Sequence, residues 1–216
     1  MAAVSESVVR ECFEQRGFLV RQTRKYVGPN PRESEEFDFL VLNPQPKASS
    51  GPLPFVLAAE DLAGLSRAVV VVKAWHTEIF SSNRIEEEPD ILRFVQPAIF
   101  RQATSFFGAG AEVKKILVVS DLPQEEAARQ RSIDTLRARG VDGVLAFRAL
   151  LVDLVASTEL NRNYQKSDLF QTIRLLKSYD LIKDPQMELF NTRSRVRARR
   201  RPKAPGPSGD EASPAV

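Results

Sequence analysis

The chain has 216 residues, 43% hydrophobic and 27% charged, a balance that fits a globular body able to bury its core without staples. A single cysteine, Cys12, excludes an internal disulfide and a cysteine-cluster metal site. The net charge of +3 is uneven: seven basic residues against two acidic ones give residues 191–216 a charge of +5, which leaves −2 for residues 1–190.

The longest apolar run, residues 68–72, is far shorter than a bilayer span. Residues 1–10 lack a basic region followed by an apolar one. No membrane partner and no secretory signal are expected, and a cytoplasmic location is the default.

The first element is a helix over residues 5–15, where Val8, Val9, Cys12 and Phe13 recur at helical spacing and Gly17 follows as a stop. Cys12 lies among those apolar residues and reads as a buried thiol. Strands are expected over residues 18–26 and 37–42. Residues 44–54 carry Pro44, Pro46, Pro52 and Pro54 around Ser49, Ser50 and Gly51, and read as a loop. Residues 53–59 continue the strand layer or lead into a helical turn at residues 60–65. Residues 68–75, with four consecutive valines, are the clearest strand and suit a position covered on both sides.

A helix is expected over residues 89–107, kinked or broken at Pro97 and closed by Gly108. Residues 114–120 read as a strand, 123–139 as a helix closed by Gly140, and 141–147 as a short strand. Two helices follow, over residues 150–160 and from Ser167 to about residue 181. The latter resembles half of a winged helix and is read as a lid, a packing helix or a dimer contact. Three strands that then give way to alternating helix and strand imply an α/β fold, a mixed central sheet with flanking helices on both faces. Three regions follow: residues 1–148 as the α/β domain, 149–190 as a helical extension and 191–216 as a basic tail. The tail's Pro, Gly and Ser content reads as disorder. Its Arg195, Arg197, Arg199, Arg200 and Arg201 are candidate nucleic-acid contacts, because closely spaced cations neutralise phosphates without sequence preference. A solubilising role is the alternative.

Several motifs are absent. Gly108-Ala109-Gly110 fails a dinucleotide fingerprint at Val113 and lies between a helix and a strand, the reverse of the required order. There is no phosphate-binding P-loop, and residues 64–68 fail the nucleophile elbow at Ala68. His76 is the only histidine, so a zinc site of the usual kind lacks ligands.

Two charged residues stand in otherwise apolar strands: Asp38 between Phe37 and Phe39, and Lys73 after Val69–Val72. Burial of an unpaired charge is costly. Either the two pair at the sheet edge, or they serve a metal ion and a phosphate. Just past Lys73, His76 is a candidate for proton transfer and Trp75 for stacking on a base. Arg93 and Arg101, eight residues apart, fall near one helix face that could meet a phosphate backbone.

The order of elements, with Asp38 in Glu36-Phe37-Asp38-Phe39-Leu40-Val41 and Lys73 in Val71-Val72-Lys73-Ala74-Trp75-His76, resembles the PD-(D/E)xK nuclease fold of restriction endonucleases and Holliday-junction resolvases. The resemblance covers about residues 4–120. It implies DNA or RNA as partner and phosphodiester hydrolysis with Mg²⁺ as cofactor. Asp38 would be the metal ligand and Lys73 would stand near the attacking water. The family has an acid or Gln two residues before the lysine, whereas this chain has Val71. Glu6, Glu60, Asp61 and Glu78 are the candidates to supply the missing carboxylate. The alternative is a nuclease-like domain without catalysis that binds nucleic acid or protein. A homodimer is compatible with either.

Overall fold

Val8, Val9, Cys12 and Phe13 are all buried and form the inner face of α1 (Ala2–Gln15). Gly17 ends this helix at φ +81°, with its N–H on the Glu14 carbonyl and the Phe18 N–H on the Phe13 carbonyl. Such a left-handed stop reverses the chain without a Cβ penalty. The chain then enters β1 (Leu19–Gln22). The structure, a computed structural model, describes residues 2–22, 37–47, 51–76, 78–108 and 110–182. The expected strand extension to residue 26 and the basic tail lie outside the described residues.

The remaining strands are β2 (Phe39–Leu42), β3 (Val56–Leu57), β4 (Arg67–Lys73), β5 (Lys114–Val119) and β6 (Gly143–Ala146). They form one six-stranded sheet in the order β1-β2-β4-β5-β6-β3. β1, β2 and β4 are antiparallel neighbours, with Gln22 opposite Phe39 and Phe39 opposite Val70. β5, β6 and β3 then continue in parallel from β4, with Lys73 beside Val119. The fold is thus α/β with a mixed sheet, as the sequence implies. β3 was the least regular expectation. It is two residues long and pairs with β6 at the far edge, not with the meander.

Helices cover both faces. Alternation along β4 sends Ala68 and Val70 into an apolar cluster with α1, while Val69 and Val71 enter a second cluster on the opposite side. The first cluster also receives Leu150 and Leu154 of α5 (Phe147–Ser157) and Phe170 and Ile173 of α6 (Asp168–Ser178). The second receives Ile85 of α2 (Ser82–Glu87), Ala103 of α3 (Pro97–Thr104), and Ile133 and Leu136 of α4 (Glu126–Ala138). No helix among the described residues is long and apolar enough to cross a membrane.

The single helix expected over residues 89–107 is three pieces: a 3-10 turn at Pro89–Val95, α3, and a 3-10 turn at Ser105–Phe107. Pro97 starts α3, and Gln96 before it is extended at ψ 136°. The proline ring disfavours helical backbone in the preceding residue, so the chain breaks instead of bending. α2 was not foreseen. Its single buried side chain, Ile85, leaves no periodicity to read, and its start is fixed by Ser81, whose hydroxyl accepts the Arg84 N–H.

Gly143 has a packing reason. A Cβ there would lie 3.0 Å from Ile116 Cδ1 and 3.1 Å from Leu57 Cδ1, between β5 and β3. Gly143→Val should cost about 1–3 kcal/mol by overpacking. The measurement is the denaturant midpoint at constant m-value; an unchanged midpoint would contradict this packing.

Candidate functional site

Asp38 immediately precedes β2 and is only 5% exposed. Its N–H donates to the Val70 carbonyl at 3.0 Å, and its Oδ2 accepts the Val72 N–H at 2.7 Å. Phe37 and Leu40 enter the second apolar cluster while Phe39 enters the first, so strict alternation breaks at Asp38. Lys73 ends β4, half-buried, on the side of Val69 and Val71. The two charges therefore lie at the same end of neighbouring strands. Among the described residues, no ion pair joins them.

Glu6 and His76 stand on the other side. Glu6 Oε2 accepts the Gln22 amide at 2.8 Å, and Gln22 shares its side of β1 with Val20, which packs against the α1 cluster. His76 is exposed, with Nε2 3.0 Å from the Oγ of buried Ser5 and its ring 4.8 Å from that of Phe147. The sheet thus separates Glu6 and His76 from Lys73, although these three and Asp38 all lie towards the same end of it. A single sequence gives alternation within a strand, but not which side a helix takes. The Ser5–His76 contact had no sequence signal.

The other candidate acids are committed elsewhere. Glu78 pairs with Arg84 at 2.8 Å, and Arg84 also pairs with Glu88 at 2.5 Å. Asp61 accepts the Ala58 N–H at 2.7 Å in the 3-10 turn Glu60–Gly64. That turn meets Asn43, at the end of β2 away from Asp38. Trp75 stacks on Phe80 at 5.6 Å, with the Arg84 guanidinium 5.4 Å from its ring centre, and so covers the edge of the second cluster. Arg93 and Arg101 do not share a helix face: Pro97 separates them into a 3-10 turn and α3. Arg195, Arg197, Arg199, Arg200 and Arg201 lie outside the described residues.

Burial pushes the Cys12 thiol up to about 12, and it contacts the Leu150 carbonyl at 3.7 Å. It stays protonated at neutral pH and is no nucleophile. A cleft of about 760 Å³, which the sequence did not signal, opens beside Arg16, Asn43, Lys47 and Glu60. Arg16 is already held by Asp153 at 2.6 Å and by the Ala59 and Cys12 carbonyls at 3.0 Å each.

Among the described residues, no three or more His, Cys, Asp or Glu side chains are grouped so as to hold a metal ion. Mg²⁺ demands a near-octahedral set of oxygens and keeps much of its water. Val71, 2% exposed, places methyl groups where the resembled family has its second acid. Leu40 and Val69 flank the same side of the sheet. Comparisons with protein-family models, curated proteins and solved structures return no match.

Proposed function

We propose that this chain is a nucleic-acid-binding protein whose α/β domain is nuclease-like and does not hydrolyse its ligand. The observation that carries this is the β1-β2-β4 meander with β5 parallel beside β4, which brings Asp38 and Lys73 to one end of adjacent strands while Val71 fills the acid position. The half-buried Lys73 offers a cation at the strand end. The seven basic residues between Arg193 and Lys203 add a second, sequence-independent attraction for phosphates. Val71 offers no oxygen to a dication at the position where the resembled family has its second acid.

The test is incubation of the full chain with DNA and RNA panels, in Mg²⁺ or Mn²⁺, read on denaturing gels beside Asp38→Asn. Shifted but intact nucleic acid is the expected result. Metal-dependent cleavage that Asp38→Asn abolishes would overturn it.

A further inference from the structure

We infer that the Asp38 carboxylate is a backbone clamp joining the start of β2 to the end of β4. The pairing of Phe39 with Val70 would, if continued, set Asp38 opposite Val71. The backbone departs from that ladder. The Asp38 N–H goes to the Val70 carbonyl, and the Val72 N–H turns to Asp38 Oδ2 at 2.7 Å. A side-chain oxygen thus stands where a main-chain acceptor would be.

A buried N–H must find an acceptor. An ionised one makes a shorter and stronger bond than a neutral carbonyl does. The bond thus engages one oxygen of a carboxylate that is only 5% exposed. It also gives the residue a consequence: the clamp fixes Val72, and with it the strand end that presents Lys73. The assignment is independent of nucleic-acid binding, because it concerns the apo fold.

The test compares Asp38→Ala, which removes the acceptor, with Asp38→Asn, which keeps a carbonyl oxygen for the Val72 N–H. Asp38→Ala should raise the unfolding equilibrium constant about 10- to 100-fold, and Asp38→Asn by less than about 10-fold. Hydrogen exchange should show the Val72 amide protected in the wild type and in Asp38→Asn, and unprotected in Asp38→Ala. Should Asp38→Ala not fold, the wild type and Asp38→Asn still decide the matter. An unprotected Val72 amide in the wild type would overturn the clamp. So would equal stability and equal Val72 protection in all three proteins.

Discussion

Truncation after Phe190 should remove most of the nucleic-acid affinity and leave the melting temperature within error. The deleted residues carry seven of the chain's 31 basic residues and only two acidic ones, and what remains has a net charge of −2. Each phosphate neutralised on duplex DNA contributes about −0.9 to the slope of log K against log salt. If all seven cations engage, the slope of the full chain is steeper by roughly 6, and the truncated chain loses that increment. At low salt the affinity should fall on the order of a hundredfold or more. Anisotropy titrations at several salt concentrations measure both quantities. Equal affinity and slope in the two proteins would remove residues 191–216 from the functional account.

The largest stability effect is expected at Phe39. Its side chain is fully buried on the α1 side of β2, in one cluster with Phe13, Val41 and Val70. The strand is hydrogen-bonded on both edges, to β1 and to β4. The site therefore has little freedom to collapse around a void. Phe39→Ala should cost about 3–5 kcal/mol, the lost transfer energy plus the cavity. That is a large fraction of the roughly 5–15 kcal/mol that holds a domain folded. Denaturant unfolding would show a lower midpoint at constant m-value. A loss below about 1 kcal/mol would mean that the β2 core relaxes in a way this packing does not provide for.

What was legible in the sequence was what local chemistry dictates. Val69–Val72 announced a strand covered on both faces, because only such a strand buries four branched side chains in a row. The helical spacing of Val8, Val9, Cys12 and Phe13 announced α1, and Gly140 the end of α4. Even the anomaly of Asp38 and Lys73 could be seen, since a charge in an apolar run stands out. What was hidden depends on partners distant in the chain. β3 takes its place from β6, which follows more than eighty residues later. Glu6 was a reasonable donor for the missing acid until Gln22 drew it to the α1 side. Arg93 and Arg101 looked like one helix face until Pro97 interrupted it. The carboxylate bond from Asp38 to the Val72 N–H spans 34 residues and depends on strand register, which composition and periodicity do not encode.

The most direct test of the central claim is equilibrium titration of the full chain into fluorescently labelled single- and double-stranded DNA and RNA. It is run first with chelator and then with Mg²⁺, with the oligonucleotide recovered and sized afterwards. The account predicts saturable binding that weakens steeply with salt, does not depend on the metal and returns the oligonucleotide intact. Absence of saturable binding at low salt, or shortened oligonucleotide in the Mg²⁺ arm, would contradict it.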